Sequence, residues 1–164
     1  MAKAIVVMGV SGCGKTSVGN ALSEALGWPF YDGDDFHPQA NIAKMAKGIP
    51  LNDTDRQPWL ERLHQLILEN IEAGRSVIVA CSALKAKYRT TLKGGHKDIY
   101  FVHLVGSFEL IFERMQRRAD HYMKAEMLRS QFQTLEAPSD ALAVPIDQPV
   151  EDVVQSIIAG LSLN

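Results

Sequence analysis

The chain has 164 residues, 46% hydrophobic and 22% charged, with 17 Lys and Arg against 19 Asp and Glu and a formal net charge of -2. That length suits one soluble domain with a real core, and the near balance of charge gives no basic field of the kind that nucleic acid or an anionic membrane surface selects. Two cysteines, Cys13 and Cys81, stand outside any paired Cys or Cys/His spacing, which argues against a disulfide framework and structural zinc and fits a reduced cytoplasm.

The opening residues, MAKAIVVMG, hold an apolar run too short for an export signal or a spanning helix, so no membrane segment is expected. Residues 4–8, AIVVM, read as a buried strand that stops at glycine. Residues 15–26 follow with Val18, Ala21, Leu22, Ala25 and Leu26 at helical spacing, closed by Gly27. PFY then leads a second short strand into the acidic stretch DGDD. A helix is expected from 55 to about 73, with Trp59, Leu60, Leu63, Ile67 and Ile71 on one side, Pro58 in its first turn and Gly74 beyond its end. SVIVA (76–80) and IYFVHLV (99–105) read as strands, and Ser107 can cap a helix running to about 117. AVPI (143–146) forms a last strand, and Pro149 opens an end helix with Val150, Val153, Val154, Ile157, Ile158 and Leu161 as its stripe.

Five apolar strands alternating with helices predict an α/β fold: a five-stranded parallel sheet flanked by helices, with ligands at the carboxyl ends of the strands. Two stretches break the alternation, 36–55 and roughly 118–142, and read as substrate loops and a mobile lid, the lid spanning about 118–137.

GVSGCGKT, residues 9–16, matches G-x-x-x-x-G-K-[ST] in the strand-to-helix context that a phosphate-binding loop requires. Its backbone N–H groups and the helix N-terminus suit phosphate oxygens, so Gly9, Val10, Ser11, Gly12, Cys13, Gly14, Lys15, Thr16 and Ser17 are the expected ATP contacts. Lys15 is expected to bridge the outer phosphates and the Thr16 hydroxyl to ligate Mg²⁺. Neither a guanine-specific N-K-x-D nor a D-x-x-G switch follows, which points away from molecular switches and toward small-molecule kinases. ERMQRR (113–118) places Arg114 and Arg118 four apart, where two guanidiniums could neutralise the transferring phosphoryl group as a lid excludes water.

Asp32, Asp34 and Asp35 crowd into four positions after the second strand, hence at the same sheet edge as the phosphate loop. In-line phosphoryl transfer wants one carboxylate near the metal and another near the attacking hydroxyl. Asp32 is assigned to the Mg²⁺ shell, through water, and Asp34 to the acceptor hydroxyl as catalytic base beside Lys15 and Arg118. Asp35 is expected to cap the next helix.

DGDDFHPQANIAKMAKGIPLNDTDRQPWL and CSALKAKYRTTL, together with the phosphate loop and HYMKAEMLRSQFQTLEAP, resemble the signatures of gluconokinases over nearly the whole chain. The resemblance implies a nucleoside-monophosphate-kinase-like fold over 1–164, ATP-dependent phosphorylation of D-gluconate to 6-phosphogluconate, and often a homodimer. Shikimate kinases share the phosphate loop and an Asp-x-Asp, but CSALK stands here where a Gly-Gly-Gly turn would be expected. Another small-acid kinase and an ATP-binding regulator without transfer are the competing readings.

An acid sugar needs fixed cations for its carboxylate and amide or imidazole groups for its hydroxyls. Arg56, Lys85 and Arg89 are candidates for the first role, and His37, Asn41 and Gln131 for the second. Which cation holds the carboxylate stays open, as does the role of Arg117. Trp59 is expected in the core.

Overall fold

The structure, a computed structural model, describes residues 2–117 and 125–163. In chain order it contains β1 (Ala4–Met8), α1 (Lys15–Leu26), β2 (Phe30–Asp32), a short 3-10 turn (Gly33–Phe36), α2 (Gln39–Ala46) and α3 (Asp53–Glu72). Then come β3 (Val77–Ala80), α4 (Ala86–Lys93), β4 (Ile99–Val105), α5 (Phe108–Gln116), α6 (Ala125–Thr134), β5 (Leu142–Pro145) and α7 (Val150–Gly160). The strands form one five-stranded sheet in the order β2-β3-β1-β4-β5, with all four pairings parallel.

Parallel strands covered on both faces should be apolar throughout rather than alternating, and β1 and β3 are buried at every position. The alternation appears instead in which core each residue joins. Ile5, Val7, Ile78, Val102 and Leu104 face α1, α5 and α7 through Val18, Leu22, Ile111, Val153 and Ile157. Ala4, Val6, Met8, Val77, Val79 and Phe101 face α3 and α4 through Leu60, Leu63, Ile67 and Leu92. Each fully buried Leu or Ile among these contributes about 1.5–3 kcal/mol relative to exposure, so both layers hold the sheet firmly in place.

The long helix α3 begins two residues before the expected Asp55. Asn52 accepts from the Asp55 N–H at 2.8 Å and the Asp55 carboxylate accepts from the Asn52 N–H at 3.0 Å, a reciprocal cap that starts the helix at Asp53. Residues 39–46, expected as loop, are helical. Asp35 is not the cap of that helix: Pro38 stands at the N-cap position with no side-chain bond, while Asp32 caps the 3-10 turn by accepting from Asp34 N–H at 3.0 Å. No helix among the described residues is long and apolar enough to cross a membrane.

With β1 central, its carboxyl end delivers the 9–16 loop to the middle of one sheet edge. The loops after β3 and then β2 lie on one side of it, and those after β4 and β5 on the other. The site is assembled along that edge.

Candidate active site

The phosphate loop has the backbone an anion cradle needs. Gly9, Gly12 and Gly14 have φ of 149°, 81° and 97°, a region that L side chains rarely adopt. Gly14 occupies the N-cap position of α1 with no side-chain cap, and a Cβ placed on it would meet nothing within 4 Å, so the orphan N–H groups of the helix open onto free space. Lys15 Nζ donates to Gly9 O at 3.0 Å and Val10 O at 3.1 Å, folding its ammonium back along the loop. Thr16 and Ser17 are exposed at the helix start. Cys13 packs inward beneath the loop, 1% exposed, and burial pushes its thiol above the ordinary range.

After β2, the DGDDF turn is pressed onto the end of β3. A Cβ on Gly33 would sit 2.4 Å from Ala80 O, so only glycine allows that approach. Trp59, 6% exposed in α3, donates its indole N–H to Gly33 O at 2.8 Å and fixes the turn from behind. His37 stacks on the Trp59 ring at 4.2 Å between centroids and 15° between planes. Asn41 donates to His37 Nδ1 at 3.2 Å and to Asp55 O at 2.9 Å. That bond to Nδ1 places the imidazole proton on Nε2, whose nitrogen is 4.0 Å from Asp34 Oδ1.

The two facing groups are shifted in opposite senses. Asp34 is raised above the ordinary carboxylate value, first by the protein crowding that thins its solvation and then by Asp32, with Lys15 and His37 opposing. Its side chain is nevertheless 82% exposed, so the acid is open to a reactant. His37 is lowered, mainly by burial and further by Arg56, against the pull of Asp34. A neutral imidazole beside a carboxylate of raised proton affinity is a competent hydroxyl-binding pair.

The third group lies where the N-termini of α3 and α4 meet. Asp53 holds Lys85 Nζ at 3.3 Å, with contacts also from Lys87 and the Tyr88 hydroxyl, and Arg56 approaches it at 3.9 Å. Arg56 also donates to Tyr88 Oη at 3.3 Å. Three cations therefore share one carboxylate.

Several expected site residues stand elsewhere. Arg89 is 8% exposed, and its guanidinium donates to Ala83 O at 2.7 Å, Leu84 O at 3.2 Å and Glu136 O at 2.7 Å, so it clamps backbone rather than presenting a free fork to a substrate. Ala83 takes a left-handed φ of 47°, and the clamp holds that conformation. Gln131 does not stand with His37 and Asn41: its Oε1 accepts from Ser11 N–H at 2.6 Å and its Nε2 donates to Ser11 Oγ at 3.0 Å, against the phosphate loop. Asn41, 3% exposed, stands behind His37 as its support rather than in the open cleft. Arg114 lies at the sheet edge with one N–H given to Ile146 O at 2.6 Å. Arg117 pairs with Glu113 on an exposed helix face. Arg118 and the first seven positions of the expected lid lie outside the described residues, while 125–134 of that span is α6.

Sequence reasoning missed Asp53, Lys87 and Tyr88, and also Glu136, whose Oε1 accepts from the Ala86 N–H at 2.7 Å and caps α4. Only the N-x-x-D spacing around Asp53 was visible locally, and it announces a helix start rather than a contact with residues 32 to 35 positions away.

For a divalent ion the described residues offer no cluster of three or more His, Cys, Asp or Glu. The Thr16 hydroxyl at the phosphate loop and the Asp32 carboxylate at the end of β2 are oxygen donors of the kind that suits Mg²⁺, which keeps several waters and takes much of its shell from substrate phosphates.

Comparison with known proteins agrees with this architecture. The shikimate kinase family model matches residues 11–159. A probable gluconokinase from Rattus norvegicus is 42% identical, with 96% of each chain covered. The thermoresistant gluconokinase of Escherichia coli (strain K12) is 44% identical over 93% of this chain and 90% of its own. The crystal structure of a gluconokinase from Sinorhizobium meliloti superimposes with a TM-score of 0.87 at 44% identity, covering 98% of this chain and 91% of that one. A central phosphate loop, an acidic turn pinned by Trp59 and relatives of this similarity lead to one assignment: the chain is a kinase of the shikimate kinase family, and it belongs with the gluconokinases.

Proposed function

We propose that the protein transfers the γ-phosphoryl group of ATP to the terminal hydroxyl of D-gluconate, giving 6-phosphogluconate and ADP. The observation that carries this reading is the gathering of three groups at one sheet edge: the 9–16 loop, Asp34 with His37, and the cation cluster at Arg56 and Lys85. A linear acid with a hydroxyl at one end and a carboxylate at the other has a group for each of the last two while the loop holds the nucleotide.

In this reading Asp34 accepts the proton of the attacking hydroxyl while the new O–P bond forms and the bond to the β,γ-bridging oxygen breaks, its electron pair leaving with ADP. His37 Nε2–H orients the hydroxyl. Lys15 leaves its resting carbonyls for the outer phosphates, and Arg114 and Arg118 serve the same charge. Mg²⁺, held by Thr16 and through water by Asp32, would supply charge neutralisation at the phosphates. Segment 118–137 is read as a lid that excludes water.

The two buried free thiols, Cys13 and Cys81, the latter pushed up to about 12 by burial, support a reducing cytoplasm. Homodimerisation rests on family resemblance.

The test is ADP release from ATP and Mg²⁺ with gluconate, shikimate, glucose and no acceptor in parallel. Gluconate should dominate. Equal or greater turnover with shikimate would move the chain to the competing reading, and release without any acceptor would make it an ATPase.

A further inference from the structure

The cation group at the junction of α3 and α4 carries its own anion. Asp53 is bound by Lys85, Lys87 and Tyr88 Oη, with Arg56 close by, although the chain brings these groups together from two segments more than 30 residues apart. Counted formally, three positive charges face one negative, leaving a surplus of two. Lys85 and Arg56 also lie within cation–π reach of the Tyr88 ring, at 5.6 and 5.7 Å from its centroid. Tyr88 is 7% exposed, whereas the side chains of Lys85, Arg56 and Asp53 are between 30% and 40% exposed, so a buried phenol stands beside charged groups that solvent reaches. It follows β3, whose strand end adjoins both the acidic turn and the phosphate loop. Arg56 is near enough to His37 to depress its proton affinity.

We infer that this cluster is the subsite for the substrate's carboxylate and that Asp53 is a resident carboxylate occupying it in the absence of substrate. The inference rests on the gluconate reading and deepens it. An incoming carboxylate takes the Tyr88 hydroxyl, Lys85 and Arg56, while Asp53 stays with Lys87 at the rim. Exchange of one carboxylate for another keeps Lys85 and Lys87 each beside an anion. A neutral sugar alcohol cannot displace Asp53, because it brings no charge to compensate Lys85. Asp53 is thus both a positioning residue and a competitor, and selectivity for the acid comes from that competition.

The two roles predict opposite signs. If Asp53 competes, Asp53→Asn lowers the KM for gluconate, by about threefold as judged from exposed ion pairs. It also makes the enzyme more sensitive to sulfate, which should act as a competitor of gluconate but not of ATP. If Asp53 were only a scaffold for α3 and α4, the same variant would raise the KM for gluconate and leave sulfate inhibition unchanged. Tyr88→Phe removes the hydroxyl that both carboxylates use, so gluconate KM should rise about five- to tenfold, with ATP KM and the inhibition constant of glucitol unmoved. The melting temperature of each variant confirms folding. A raised or unchanged gluconate KM in Asp53→Asn overturns the exchange, and an unchanged KM in Tyr88→Phe overturns the subsite. Failure of the wild-type enzyme to turn over gluconate would instead refute the functional reading itself.

Discussion

Replacing Gly33 by alanine should separate chemistry from nucleotide binding. The added Cβ would lie 2.4 Å from Ala80 O and 3.3 Å from a Leu63 methyl, while ordinary contact begins at 3.4 Å. Ala80 cannot yield, because it is in register with both Val7 and Asp32 inside the sheet, so the turn must lift by about 1 Å. That motion drags Asp34, one residue on, and stretches the 2.8 Å bond from Trp59 to Gly33 O. Misplacement of a reacting group by this much costs roughly a hundredfold in kcat, about 2.7 kcal/mol of transition-state stabilisation. Overpacking adds a stability loss of about 1–3 kcal/mol. The phosphate loop follows a different strand, so ATP affinity should stay within about twofold of wild type. Coupled-assay kcat, calorimetric ATP binding and thermal melting measured together decide it. A variant that melts like wild type and keeps kcat within about threefold would refute the claim that the Gly33 contact positions the base.

Arg89→Met should be a stability variant rather than a selectivity variant: leaving three carbonyls without their charged donor costs about 3 kcal/mol, or about 6–12 °C in melting temperature, and a large loss of gluconate selectivity in a variant that melts like wild type would reverse that assignment. Because the Asp35 charge helps to raise Asp34, Asp35→Asn should shift the acid limb of the kcat/KM profile to lower pH, and an unmoved limb would exclude Asp34 as the titrating group. His103, 8% exposed on β4, is lowered by burial and by Arg89, so the unfolded chain binds the proton more readily than the folded one. Stability should therefore fall as pH drops through about 6.5, and His103→Asn should flatten that fall between pH 7.5 and 5.5 in thermal melts; an undiminished slope would mean that other groups carry it.

The sheet was legible because its signals are local. AIVVM, VIVA and IYFVHLV are apolar without interruption, and a parallel strand buried on both faces can look no other way. The phosphate loop was legible for the same reason: glycine spacing, Lys15 and Thr16 are consecutive in the chain. Asp34 and His37 could be placed at the sheet edge because they directly follow a strand. What escaped was contact between distant segments. Nothing near Arg89 says that its partners are carbonyls at 83, 84 and 136, and its i, i+4 spacing from Lys85 made the two look alike. Lys85 reaches Asp53 while Arg89 turns inward, a difference set by the packing of α4 on α3. Gln131 was read by residue type as a hydroxyl-binding amide, although α6 carries it to Ser11. The helix at 39–46 was missed because α2 buries little besides Asn41.

Gln131 and Glu136 are five positions apart, and between them the chain is held by the bond from Leu135 N–H to Gln131 O at 2.9 Å. One end of this short strap is bonded to Ser11 in the phosphate loop; the other caps α4 and receives Arg89. Such a connection joins the phosphate loop to the start of α4, beside the proposed carboxylate subsite, with no residue needing to touch both ligands. Where one lever serves two sites, thermodynamics requires reciprocity: whatever factor ATP applies to gluconate affinity, gluconate applies to ATP. Cutting the strap at one end with Gln131→Ala should therefore reduce both factors equally, while leaving each ligand's affinity measured alone nearly as before. Binding isotherms for each ligand, with and without a non-hydrolysable partner, would expose the linkage, and an undiminished factor in the variant would show that the strap is not the lever.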